Sequence, residues 1–143
     1  MAKFPSVAWF DAVRMVFNGD EAYQGAGGGH CNCVAGIKVG NKVFVLTFEA
    51  LECSEVVGAK DSDLERADFC LEMPLDDWRA MVRNIAKNGN ATLEYTLNTL
   101  DLEREEGLCT SRHGDQYRED LFFRYNQTFQ FFFDASARVN TTF

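Results

Sequence analysis

Residues 31–48 leave the chain few options. From Cys31 to Val39 apolar side chains recur at every second position (Cys31, Cys33, Ala35, Ile37, Val39), and the run stops at Gly40-Asn41. A period of two is what a strand needs to bury one face. Gly then Asn, set between two such runs, reads as a two-residue hairpin turn with Gly first. Lys42 to Phe48 then returns, with Phe44, Leu46 and Phe48 on one face and Val43, Val45 and Thr47 on the other. Apolar residues on both faces place this strand inside a sheet that is covered on both sides. Leu51 to Val57 reads as a weaker third strand, Asp61 to Glu65 as a polar loop, and Ala67 to Met73 as a fourth strand.

Helical spacing brackets this sheet. Ser6 is a natural N-cap for a helix reaching Phe17, with Trp9, Phe10, Val13, Val16 and Phe17 on one face and Asn18-Gly19 as its stop. Pro74 opens a second helix, where its missing N–H is harmless, and Asp76 and Asp77 suit the positive end of the dipole. Leu75, Trp78, Met81, Val82 and Ile85 make its inner face, and Asn88-Gly89 ends it. Ala91 to Leu100 reads as a short helix, Leu100 to Leu102 as the start of a fifth strand, and Glu103 to Gly114 as a polar loop. Asp115 is the expected N-cap of a long final helix reaching about Arg138. The expected fold is α+β: a mostly antiparallel five-stranded sheet covered by helices, with a long C-terminal helix, in one domain over residues 1–143.

The last helix carries a stripe of Tyr117, Leu121, Tyr125, Phe129 and Phe132, which Phe122, Phe131 and Phe133 widen. With 13 Phe in 143 residues, the chain needs a large apolar space to put them in. The extra width predicts a second apolar contact, either a ligand cavity or another copy of the chain.

Charge narrows the partners. The net charge is −8, from 22 acidic against 14 basic residues, with no basic stripe. Nucleic acid is therefore an unsuitable partner, and an anionic membrane surface would repel the chain. No apolar run is long enough to span a bilayer, and Met1-Ala2-Lys3-Phe4-Pro5 does not begin a secretory signal, so a cytoplasmic protein with no membrane insertion is expected. The cysteines number five, an odd count that fits a reducing compartment. Gly25 to Gly29 lacks the Lys-Ser/Thr of a phosphate loop and reads as a connector.

The stretch Ala67-Asp-Phe-Cys-Leu-Glu-Met-Pro-Leu-Asp-Asp-Trp78 resembles the sterol-carrier-protein type two family, in which an Ala-Asp-aromatic strand leads into a helix carrying a Trp. Val43 to Phe48 is similar to that family's second strand, and the resemblance runs over residues 4–102. Two departures follow. Glu103 to Gly107 stands where the family has a Gly-flanked strand, and the closing helix is longer and more aromatic. The resemblance implies binding of a sterol, acyl chain or similar lipid in a tunnel between sheet and helices. In this chain that tunnel would be lined by Phe44, Leu46, Phe48, Trp78, Met81, Phe122, Phe129 and Phe132, and the polar cluster Arg124-Tyr125-Asn126-Gln127 amid the aromatics adds Arg124 and Tyr125 as candidate ligand contacts. The alternative is that these side chains simply fill the core.

Chemistry has thinner support. His30, Cys31 and Cys33, with Cys109 and His113, lack the usual spacing of a zinc site, so no metal or other cofactor is expected. Cys109 and His113 could pair as thiolate and imidazolium, and no Ser-His-acid motif accompanies either His. Asp101 between leucines, and Asp115 with Tyr117, are the carboxylates best placed for acid–base work in an apolar setting. Arg124 and Gln127 share a helix face that could hold a ligand's polar head. The leading expectation is a carrier of a hydrophobic small molecule without catalysis. The rivals are a small enzyme or accessory subunit acting on such a molecule, and a module that self-associates as a homodimer through its last helix.

Overall fold

The computed structural model describes residues 1–24, 30–105, 107–112 and 116–143. Five strands form the main sheet: β2 (Cys33–Val39), β3 (Lys42–Glu49), β4 (Glu52–Ala59), β5 (Phe69–Met73) and β6 (Cys109–Thr110), in the order β4-β3-β2-β5-β6. Every neighbouring pair is antiparallel except β2 with β5, which is parallel. The α+β fold with a mostly antiparallel five-stranded sheet is therefore present. Gly40 turns the β2–β3 hairpin at φ 60°, with Val39 paired to Lys42 across the two-residue loop. A side chain at the first loop position would strain that conformation.

One face of the sheet carries the core. Ala35, Ile37 and Val39, Phe44, Leu46 and Phe48, and Phe69, Leu71 and Met73 all belong to one buried cluster under the helices. Helix α1 (Val7–Gly19) starts where Ser6 Oγ accepts from Trp9 N at 3.0 Å. Helix α2 (Leu75–Asn88) follows Pro74 and buries Trp78, Met81, Val82 and Ile85. On the other face, Leu64 of a 3-10 helix over Asp61–Arg66 packs with Val43 and Cys70. It fits there because Gly36 has no side chain: a Cβ at that position would stand 2.4 Å from Leu64 Cδ2.

The second half departs from expectation at several points. Leu100 to Leu102 belong to helix α3 (Leu97–Glu103), which follows a 3-10 turn at Leu93–Tyr95. The fifth strand is β6, inside the stretch read as a polar loop. The final helical stretch is present but divided. Helix α4 (Gln116–Arg124) and α5 (Asn126–Asp134) meet at Tyr125, whose φ −106° and ψ 16° leave the helical region, and a 3-10 turn Ala135–Arg138 follows. Asp115, the connector over 25–29 and His113 lie outside the described residues. Two short strands, β1 (Ala2–Lys3) and β7 (Thr141–Thr142), pair in parallel.

The expected second apolar surface for Phe122 and Phe133 is not needed, because both are fully buried in this chain's own core. At about 100° per residue, Phe129, Phe132 and Phe133 of α5 fall within an arc of about 100°, and Leu121 and Phe122 are neighbours on α4. Each helix turns one face to the same core. Phe131 lies opposite and is partly buried, while Phe123 and Tyr117 are exposed. Among the described residues no helix is long and apolar enough to cross a membrane.

Candidate functional site

The residues expected to line a tunnel come together as a layer of touching side chains. Phe48 meets Phe129 at 4.8 Å between ring centroids and Phe132 at 5.6 Å. Phe69 meets Phe129 at 5.3 Å and Phe122 at 5.8 Å. Phe44 lies in a second group, 4.6 Å from Phe10. Phe133 joins the two groups, 5.5 Å from both Trp78 and Phe132. These spacings are direct ring contact. Leu46 and Met81 are buried in the same core. Trp78 Nε1 donates to the Lys38 carbonyl at 2.9 Å, which fixes α2 against the sheet.

Tyr125 is partly buried against this core. Arg124 is exposed, with its guanidinium 5.5 Å from the Tyr125 ring centroid, and Gln127 is exposed too. They do not form a polar end within the aromatic layer. Phe17, Phe69 and Phe133 belong to the layer and were not in the expected set. Phe69 could have been found from its alternation with Leu71 and Met73.

Open space lies instead at the β5–β6 edge of the sheet. β5 ends at Met73, and Pro74 turns the chain into α2, while Gly40 N donates to the Met73 carbonyl at 3.2 Å. From the far side, Glu72 N donates to the Leu108 carbonyl at 3.0 Å. Asp101 Oδ1 accepts from Leu108 N at 2.7 Å and from Cys109 N at 3.3 Å, so α3 holds this approach in place. Between them is a cavity of about 740 Å³. Met73 and Leu108, both members of the main core, are among its lining residues. Glu72, Glu103, Arg104 and Glu105 stand around it, with Thr110 on the wall. Phe44 borders a different hollow of about 500 Å³.

The cavity's charge is negative. Arg104 is already bound to Asp77 through Nη1 and Oδ2 at 2.9 Å. Of the three glutamates, Glu72 lies 3.5 Å from Lys38 Nζ. The buried Thr110 hydroxyl has no hydrogen-bond partner among the described residues.

The groups singled out for chemistry have structural duties here. Asp101 is engaged by two backbone N–H groups. Burial pushes the Cys109 thiol up, which opposes a thiolate role. Cys31 and Cys33 hold their sulfurs 3.6 Å apart, and no group of three or more metal-ligating side chains occurs among the described residues. In comparisons with protein-family models, curated proteins and solved structures, nothing matches this chain.

Proposed function

We propose that this chain binds an apolar small molecule, without catalysis, in the cavity at the β5–β6 edge. The observation that carries this reading is the hollow itself, which Met73 and Leu108 of the main core line together with Gly40 and Pro74. Its volume of about 740 Å³ lies within the usual range of small-molecule sites. The resemblance of residues 67–78 to the sterol-carrier-protein type two family supports a lipid- or sterol-like ligand. The five free thiols fit a reducing, cytoplasmic setting.

The rim selects the ligand's polar end. Glu72, Glu103 and Glu105 would repel a carboxylate, and Arg104 is occupied by Asp77. A neutral hydroxyl end avoids that repulsion. The ligand is therefore an apolar molecule with a neutral hydroxyl end rather than a free fatty acid.

The test is titration with a fluorescent sterol analogue and a fluorescent fatty acid at neutral pH. Saturable one-to-one binding is expected for the sterol probe, with weaker binding of the acid. Glu103→Lys combined with Glu105→Lys changes two exposed positions and should shift the preference toward the acid by about tenfold, or ~1.4 kcal/mol. Failure of the folded protein to bind either probe saturably would end this reading.

A further inference from the structure

We infer that Cys31 and Cys33 form a reversible dithiol–disulfide site at the entrance to β2. The inference is independent of the ligand-binding proposal. The two sulfurs lie 3.6 Å apart, close enough to share a hydrogen bond, and both residues are buried. Asn32 between them is exposed, and so is His30 just before, while Cys31 retains 2% and Cys33 6% of its surface.

The backbone holds the two sulfurs opposed. Cys31 N donates to the Ala50 carbonyl at 2.7 Å, and Asn32 Oδ1 accepts from Ala50 N at 3.0 Å. Cys33 is fixed in the sheet opposite Phe48. The other thiols are engaged elsewhere: Cys53 Sγ faces the Glu55 carbonyl and Cys109 Sγ faces the Glu119 carbonyl, each at 3.8 Å, while Cys70 packs on the opposite face of the sheet. Asn32 is a positioning residue for the pair.

The oxidant is hydrogen peroxide, the smallest peroxide. Cys31 lies just before β2, next to the exposed His30, and is the sulfur that attacks first, while contact with Cys31 and burial push the Cys33 thiol up. The Cys31 sulfur gives its proton to water and attacks one peroxide oxygen. The O–O bond breaks, and the departing oxygen leaves as water after taking a proton. Cys31 is now a sulfenic acid. The Cys33 sulfur attacks it, the S–S bond forms, the S–O bond breaks, and the leaving hydroxide takes the Cys33 proton as a second water. The two sulfurs lose two electrons and the peroxide gains them. An external dithiol reverses the change by exchange.

The sequence makes the test direct. No Lys or Arg lies between Met15 and Ile37, so trypsin cutting after Arg14 and Lys38 releases residues 15–38 with both sulfurs and no third cysteine. The folded protein is treated with hydrogen peroxide, its remaining thiols are blocked, and the peptides are weighed. Peptide 15–38 should be lighter by two hydrogens, and dithiothreitol should restore it. Asn32→Ala should slow the change several-fold. The same loss should occur in a variant with Cys53, Cys70 and Cys109 all changed to Ser; if that variant does not fold, the native peptide map decides alone. A peptide that stays unmodified, carries added oxygen, or is joined to another cysteine peptide overturns the inference.

Discussion

The two faces of the sheet solve the same problem by different means. The helix-covered face is closed by aromatic rings from β3, β5, α1 and α5, each touching several others. The opposite face is closed by one leucine. Leu64 enters the notch at Gly36 and meets Val43 and Cys70. Around it Lys38 binds Asp61 at 2.8 Å and Glu72 at 3.5 Å, and Arg112 reaches Asp61 at 3.1 Å. Surface ion pairs of this kind contribute little, so the 3-10 helix is held mainly by its leucine. A layer of many mutual contacts tolerates no single loss well, whereas a plug concentrates its hold in one side chain and one missing Cβ.

The largest expected effect is on the ring layer. Phe129→Ala removes contacts to Phe48, Phe69 and Phe122 and should cost about 3–5 kcal/mol in urea denaturation. A cost near zero would mean that the layer is loosely packed and the contrast between the faces false. On the opposite face, Leu64→Ala should cost about 2 kcal/mol and Gly36→Ala about 1–3 kcal/mol, the latter through overpacking. The double variant should lose less than the sum, because the alanine methyl then fills space the leucine has left. Strict additivity would show that the notch and the plug are unrelated.

The smallest effect sharpens the helix-covered side. Burial holds the Asp134 carboxyl above its ordinary 3.8, although Ala91 N and Gln130 Nε2 both donate to it. Its contribution to stability is full below pH 3.8 and is lost as pH rises through the higher folded value. Asp134→Asn keeps an acceptor for Ala91 N and cannot ionise. Denaturation curves across that window should show the native protein losing ground to the Asn variant as pH rises. Parallel curves would place Asp134 in a setting no less polar than water.

The first half of the fold was legible because its elements are long enough to display a period. β2, β3 and the two leading helices each repeat their apolar pattern several times, and Gly40-Asn41 and Pro74 punctuate them. Cys109–Thr110 and Thr141–Thr142 have two residues each, and two residues have no period to read. The break at Tyr125 was hidden because the apolar face continues across it. The aromatic residues were legible as inward-facing, but pattern alone does not distinguish rings that surround a space from rings that fill it. The cavity was invisible for a different reason. Gly40, Met73 and Leu108 come from three distant segments, and only the parallel pairing of β2 with β5 and the arrival of β6 bring them to one edge.

The pairing of β1 with β7 has a kinetic consequence. Ala2 N donates to the Asn140 carbonyl at 2.9 Å and Phe4 N to the Thr142 carbonyl at 2.8 Å, which closes almost the whole chain into a ring. Loop-closure entropy rises with the length enclosed, so this pair gains least when little else is ordered and forms once the sheet and helices have already brought its halves near. It is also short, and its loss leaves the five-stranded ladder intact. The amides of Ala2 and Phe4 should therefore exchange with solvent through an opening that leaves the rest of the molecule folded, reporting a local clasp rather than global stability.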